Sequence, residues 1–132
     1  MPLLLDTSIL IGGQTDPEDE VAISVVSIAE LHFGVLVAGD DEARAIRLRR
    51  LAVVEEAFDP LPLDATVARE CGKLHAAVVQ RGGQPRRRSF DLVIAATANV
   101  HGVPLLTMNV ADFGLIEDLV DLRSPRSLLP GP

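Results

Sequence analysis

Short apolar segments alternate with longer segments of helical periodicity along this chain, and this alternation constrains the fold most. Three short apolar runs predict buried strands, at residues 3–5, 22–26 and 103–107. Apolar residues at three- and four-residue spacing predict helices over residues 27–38, 40–58, 64–82 and 89–102. Strands that alternate with helices predict an α/β fold of three layers, in which helices cover both faces of a mainly parallel sheet.

The remaining segments are short connections. Residues 9–11 predict a brief helix, residues 61–63 an edge strand and residues 113–119 a weak helix, and a tail rich in Pro and Ser ends the chain. We find no repeat and no linker. We therefore expect residues 1–132 to form a single domain, which is a normal length for one hydrophobic core.

The composition excludes several classes of protein. Apolar residues make up 48% of the chain, which is too many for a disordered protein. The longest nearly apolar run, residues 21–29, is less than half of the about 20 residues that a membrane span requires. The first residues lack a basic leader and a cleavage site, and the single cysteine, Cys71, has no partner for an internal disulfide. We expect a soluble, cytoplasmic protein without a membrane segment.

The charge and the aromatic content limit the ways of binding nucleic acid. A formal net charge of −7 argues against attraction through bulk positive charge. The chain has no Trp, no Tyr and only four Phe, which argues against an aromatic platform for stacking bases. An acidic site that recruits metal ions remains open, because bound cations reverse the local charge.

Four carboxylates fall where ligands bind in α/β sheets, near the carboxyl ends of the strands. They are Asp6, Glu30, Asp91 and Asp112. Taken singly, three have ordinary explanations: Glu30 completes a capping box with Ser27, Asp91 complements a helix dipole after a Ser89 cap, and Asp112 is a solvated turn residue. Asp6 is harder to dismiss, since an acid directly after three leucines faces a large desolvation cost.

As a set, the four carboxylates predict a cation site. Acids that converge at one sheet edge repel one another, and a divalent cation relieves that repulsion. Oxygen ligands favour Mg²⁺ or Mn²⁺, and the chain offers no His or Cys cluster for zinc. Such ions activate water for phosphodiester cleavage.

Four sequence motifs carry these acids in order along the chain. They are Leu4-Leu5-Asp6-Thr7-Ser8, Ser24-Val25-Val26-Ser27-Ile28-Ala29-Glu30-Leu31, Asp91-Leu92-Val93-Ile94-Ala95-Ala96-Thr97-Ala98 and Leu105-Leu106-Thr107-Met108-Asn109-Val110-Ala111-Asp112-Phe113. Together they resemble the motifs of PIN-domain nucleases, and the resemblance extends over about residues 2–125. The small size is similar to that of the VapC toxins of bacterial toxin–antitoxin pairs.

This resemblance implies a PIN-like α/β/α fold and an endoribonuclease that depends on one or two Mg²⁺ or Mn²⁺ ions. It also implies a homodimer that a small VapB-like antitoxin inhibits. The metal-binding catalytic acids would be Asp6, Glu30, Asp91 and Asp112. Supporting roles would fall to Thr7 and Ser8, which orient Asp6 or a water molecule, and to Asn109, the alternative fourth position. The RNA target and the identity of the antitoxin are left open.

The basic residues and histidines complete the candidates. Arg86, Arg87 and Arg88 stand just before Asp91 and are either a solvated run or a phosphate clamp that Arg81 extends. The second basic group, Arg44, Arg47 and Arg50, is interpreted as a solvated helix side. We interpret His32, His75 and His101 as structural, and Cys71 as a buried thiol on a helical stripe.

Two other functions are open at this stage. One is a phosphoryl-transfer domain of the phosphatase or receiver type, which also has an Asp at a strand end. It requires a positioned lysine, and the only lysine, Lys73, lies in the middle of a predicted helix. The other is a non-catalytic scaffold with a PIN-like fold, against which the three clear acids argue.

Overall fold

A computed structural model of the protein describes residues 2–125. The strands and helices of that part of the chain follow in the order β1 (Pro2–Leu5), α1 (Thr7–Gly12), β2 (Glu20–Ala22), α2 (Val25–Leu36), α3 (Asp41–Ala57), α4 (Ala65–Gln80), α5 (Ser89–His101), β3 (Leu105–Leu106) and β4 (Leu122–Arg123). Two 3₁₀ segments, Pro85–Arg88 and Val110–Ile116, flank α5 and β3.

The sheet is parallel throughout and has the strand order β2-β1-β3-β4. Alternate residues of β1 point to opposite faces, so that Leu4 packs in the core formed with α4 and α5. Leu3 and Leu5 pack in the second core, which α2 and α3 cover. The predicted three-layer fold with a mainly parallel sheet is therefore confirmed.

Two helix starts and one helix end agree closely with the sequence pattern. The Asp64 side chain accepts a hydrogen bond from the Val67 amide and caps α4, whose predicted apolar stripe is buried. Asp40 caps α3 in the same way. Gly102 ends α5 at φ +66°, a left-handed conformation that favours glycine over other residues.

The predicted strand at residues 22–26 is wrong, because β2 ends at Ala22 and α2 begins at Val25. The side chain of Ser24 accepts a hydrogen bond from the Val26 amide at 3.2 Å and caps the helix. Val26 is buried in the core against α4 and α5. Capping and burial thus outweigh the preference of these β-branched residues for strands.

The predicted edge strand at residues 61–63 is reduced to a single bridge between Leu61 and Ser24. The tail contains a strand that the sequence pattern does not predict, β4, which pairs with β3. Residues 126–132 of that tail lie outside the described residues. None of the helices within residues 2–125 is long and apolar enough to cross a membrane.

Candidate active site

A cleft of about 580 Å³ lies at the carboxyl edge of the sheet and contains all four predicted acids. It is lined by Asp6, Thr7, Ser8, Ile11, Glu30, Arg86, Arg87, Arg88, Ser89, Phe90, Asp91, Asn109 and Asp112. The ends of β1 and β3 and the starts of α1 and α5 bring these side chains together, as expected where parallel strands end. Lys73 is exposed on α4 and is not one of the lining residues, so the structure does not support a phosphoryl-transfer site with a lysine.

Asp6 is held at the end of β1 by two hydroxyl groups. Its Oδ2 accepts hydrogen bonds from Ser8 Oγ at 2.7 Å and from Thr107 Oγ1 at 2.8 Å. Each hydroxyl also accepts a hydrogen bond from a backbone amide, that of Met108 for Ser8 and that of Asn109 for Thr107. These amides direct both hydroxyl protons towards the carboxylate, which is only 5% exposed.

Thr7 positions Glu30 rather than Asp6. Its Oγ1 donates to Glu30 Oε1 at 2.8 Å and lies 2.8 Å from Ser27 Oγ. A threonine hydroxyl has one proton, and because this proton goes to Glu30, Ser27 is the donor to Thr7. The buried chain of hydroxyls thus fixes one carboxylate oxygen of Glu30.

The predicted capping box of Ser27 and Glu30 is wrong. Because α2 begins at Val25, Glu30 falls in the second turn of the helix and Ser27 is completely buried. Both side chains bind Thr7 instead, on the neighbouring element. The ordinary explanation of Glu30 as a cap therefore does not apply.

Asp91 lies in the first turn of α5 and carries the largest electrostatic perturbation of the site. Burial, followed by the charges of Asp6 and Glu30, raises the pKa of Asp91 from 3.8 to about 6, although Arg88 acts in the opposite direction. The predicted Ser89 cap is wrong, since the Ser89 hydroxyl donates to the backbone oxygen of Arg86.

Glu30 is perturbed in the same direction as Asp91. Burial raises the pKa of Glu30, the hydrogen bond from Thr7 lowers it, and the charge of Asp6 raises it. The charge of Asp6 therefore opposes the ionisation of both Glu30 and Asp91.

Asp112 joins the site from the 3₁₀ segment Val110–Ile116 through an ion pair. Its Oδ1 lies 3.0 Å from Arg88 Nη2, and Arg88 Nη1 lies 3.6 Å from Asp91 Oδ2. Arg86 and Arg87 line the cleft, are exposed and make no ion pair with other described residues. Arg81 is directed elsewhere, because it pairs with Asp118 at 2.7 Å.

The remaining candidates lie outside the acid cluster or at its border. Asn109 is exposed and lines the cleft, and its side chain forms no hydrogen bond within residues 2–125. His32 and His101 are exposed, and neither lines the cleft. His75 Nδ1 lies 2.9 Å from the backbone oxygen of Cys71, whose thiol is buried and has its pKa raised by burial.

Two residues that hold the acids have no predicted role in the site. Thr107 contributes a hydroxyl to Asp6, and Ser27 completes the chain of hydroxyls to Glu30. Thr107 carries a signal that points to such a role, because it is a polar residue directly after a buried strand, as Asp6 is.

The donor set is suited to a hard cation. All four side chains are carboxylates, and the raised pKa values of Glu30 and Asp91 reflect a site that favours additional positive charge. Within residues 2–125, no three carboxylate, imidazole or thiol groups stand in a ready-made arrangement for a metal ion. The ion pairs of Arg88 draw Asp91 and Asp112 to a guanidinium instead.

The family model for the PIN domain matches residues 3–113. The chain belongs to the PIN domain family. It is 37% identical over 121 residues to Ribonuclease VapC5 of Mycobacterium tuberculosis, covering 86% of this chain and 87% of that protein. It is 35% identical over 123 residues to Ribonuclease VapC4 of the same organism, covering 88% and 92%. The resemblance that the four motifs indicate is therefore confirmed.

Solved structures agree with this assignment. A crystal structure of VapBC-5 from Mycobacterium tuberculosis, a member of the VapBC family of toxin–antitoxin systems, superposes with a TM-score of 0.79 at 34% identity. The superposition covers 96% of this chain and 98% of that one. VapBC2 from Rickettsia felis, solved with a promoter DNA fragment, shares the fold at 22% identity, with a TM-score of 0.74 over 96% of this chain and all of that one.

Proposed function

We propose that this PIN domain is an endoribonuclease toxin of the VapC type, which hydrolyses RNA phosphodiesters with one or two Mg²⁺ or Mn²⁺ ions. The observation that carries the proposal is the convergence of Asp6, Glu30, Asp91 and Asp112 on one cleft of a PIN domain. The ribonuclease relatives support the reaction and the choice of RNA.

The four acids would hold the cation, and each is positioned differently. Asp6 is fixed by Ser8 and Thr107, which leaves its Oδ1 without a hydrogen bond from the described residues. Glu30 is fixed through Thr7. When bound, a divalent cation supplies the charge that lowers the pKa of water and stabilises the leaving oxygen.

Substrate binding would depend on the arginines at the rim of the cleft. Arg86 and Arg87 are exposed beside the acids, where their guanidinium groups suit the phosphates that flank the scissile bond. Their position offsets the net charge of −7 at the one place where RNA must approach.

The electrostatics of the cleft bear on the alternative of a non-catalytic scaffold. Burial, together with the charges of Asp6 and Glu30, raises the pKa of Asp91 to about 6, so ionising this group in the folded protein opposes stability at neutral pH. A bound cation would offset that cost. The observation therefore favours a cation site at these carboxylates, which an inactive scaffold does not require.

The deciding experiment is cleavage of a total RNA pool by the purified chain in Mg²⁺, in Mn²⁺ and in EDTA. We expect cutting at discrete sites that requires metal and is lost in Asp91→Asn. The control is Asp118→Asn, because Asp118 is an exposed aspartate paired with Arg81. Calorimetric titration with Mn²⁺ should detect binding to the control and none to Asp91→Asn. A folded protein that cleaves no RNA in either metal and does not bind Mn²⁺ would favour the scaffold.

The partners we propose are a second copy of the chain and a VapB-like antitoxin. The toxin–antitoxin complex of VapBC-5 supports the antitoxin. Ile46 and Val53 lie two turns apart on α3 and are both exposed, which gives apolar surface for a dimer. Sedimentation of the purified chain at micromolar concentration should give a dimer, and a monomer would contradict this part of the proposal.

A further inference from the structure

Two exposed apolar side chains stand inside an otherwise polar and charged cleft. Phe90 is 46% exposed and Ile11 is 53% exposed, and the other eleven lining residues have polar or charged side chains. Phe113, by comparison, is 2% exposed in the core. The Phe90 ring is therefore not needed to fill the core, and covering it with an apolar ligand would remove its surface from water.

The position of Phe90 relative to the acids is fixed. It directly precedes Asp91 in the first turn of α5, and this helix is anchored by the buried residues Leu92, Ile94 and Ala95. A ring on a rigid helix loses little conformational entropy when a ligand stacks on it. The Phe90 ring and the Asp91 carboxylate are thus carried on one rigid helix turn before any ligand binds.

The chemistry around the ring selects its ligand. The carboxylates suit a divalent cation, and Arg86 and Arg87 suit phosphate, so the cleft is adapted to a phosphodiester. The planar apolar group that a phosphodiester brings with it is the nucleobase. Bases stack on aromatic side chains without regard to their identity, because each base has a π face.

We propose that Phe90 stacks on a nucleobase adjacent to the phosphate that the acid cluster cleaves, with Ile11 as the second apolar residue of the same cleft. This inference rests on the proposed ribonuclease function. It departs from the expectation, drawn from composition, that the chain lacks an aromatic platform. One ring in the cleft is sufficient to bind one base, which places a base-stacking contact next to the scissile bond, without selecting which base it is.

Nuclear magnetic resonance of the Phe rings is a direct test. The chain has four Phe and no Tyr or Trp, so that Phe90→Leu identifies the Phe90 signals in a ¹³C-Phe sample. Adenosine 5′-monophosphate with Mg²⁺ should shift the Phe90 ring signals upfield, and ribose 5-phosphate, which lacks the base, should not. Equal shifts with both compounds, or no shift with the nucleotide, would overturn the proposal. The exposed ring would then be better explained by contact with a protein.

Kinetics with RNA form the second part of the test. We expect Phe90→Leu to raise KM for RNA about tenfold while kcat changes less than about twofold. The affinity of Phe90→Leu for Mn²⁺ should equal that of the wild type. The matched control is Phe33→Leu, since Phe33 is 64% exposed on α2 and does not line the cleft. An unchanged KM, or a parallel loss of Mn²⁺ binding, would contradict a base-stacking role.

The two proposals can fail separately. RNA cleavage by the wild-type chain without a shift of the Phe90 ring would contradict the base-stacking site alone. A base-specific shift in a chain that cleaves no RNA would contradict the ribonuclease function and support a nucleotide site.

Discussion

Arg88 and Asp112 form an ion pair across the acidic cleft, with 3.0 Å between Nη2 and Oδ1. The same guanidinium reaches Asp91 at 3.6 Å. Arg88 therefore binds two of the four carboxylates that we assign to the cation. If the proposed cation binds there, the guanidinium would compete with it for the same oxygens, and the affinity of the site for metal would include the cost of displacing Arg88.

The first prediction follows from this competition. Arg88→Ala should lower the dissociation constant for Mn²⁺ by up to about fivefold, because half-exposed ion pairs are worth up to about 1 kcal/mol. Calorimetric titration at about pH 7.5 measures the change. Arg86→Ala is the matched control, since Arg86 lines the same cleft without an ion pair to a described residue. Weaker Mn²⁺ binding by Arg88→Ala would mean that the arginine supports the site.

The second prediction concerns the hydroxyl of Thr7. Thr7→Val keeps the shape of the side chain but leaves Glu30 Oε1 and the buried Ser27 Oγ without their partner. We expect the free energy of unfolding in urea to fall by about 1–3 kcal/mol. The pKa of Glu30 should rise further, because the hydrogen bond from Thr7 lowers it. Thr7→Ser, which retains the hydroxyl, should preserve the pKa of Glu30.

The fold and the position of Asp6 could be predicted because their signals are local. An aspartate directly after three leucines indicates a buried strand that ends in a charge, and Asp6 is indeed only 5% exposed. The predicted helices that begin near Asp40 and Asp64 likewise start where those side chains accept hydrogen bonds from backbone amides. The start of α2 was missed because Val25 and Val26 favour strands locally, whereas the Ser24 cap and the burial of Val26 decide the outcome.

The hydroxyl groups that position the acids could not be predicted, since their hydrogen bonds join segments that are distant in the sequence. The hydroxyl of Thr107 is 101 residues from Asp6 in sequence, and Thr7 is 23 residues from Glu30. Local patterns gave Glu30 a partner in Ser27 on its own helix. Only the packing of α1 against α2 replaces that partner with Thr7.

A third prediction addresses the exposed arginines. Binding of single-stranded RNA is measured between about 50 and 200 mM salt in the Asp91→Asn background, which prevents cleavage. Replacing Arg86 and Arg87 with Ala should reduce the slope of log K against log salt by about 0.7 for each phosphate that these arginines neutralise. Arg81→Ala should leave the slope unchanged, because Arg81 pairs with Asp118. An unaltered slope in the double variant would mean that neither arginine binds phosphate.

The fourth prediction links Asp91 to stability. Its pKa is raised in the folded protein from 3.8 to about 6, mainly by burial and by Asp6 and Glu30. The folded state therefore binds this proton more tightly than the unfolded state does. The resulting stability is fully present below about pH 4 and is lost as the pH rises through about 6.

Asp91→Asn removes this loss of stability at neutral pH, because the Asn side chain remains neutral at every pH. In EDTA at about pH 7.5, we expect its free energy of unfolding to exceed that of the wild type by about 1–2 kcal/mol, since the side chain is partly exposed to screening water. Near pH 4 the two proteins should be equally stable in thermal melts. Asp118→Asn should give no gain, because Arg81 lowers the pKa of Asp118. A lower melting temperature for Asp91→Asn than for the wild type, at neutral pH and without metal, would mean that the surroundings stabilise the ionised carboxylate. That result would contradict the raised pKa of Asp91.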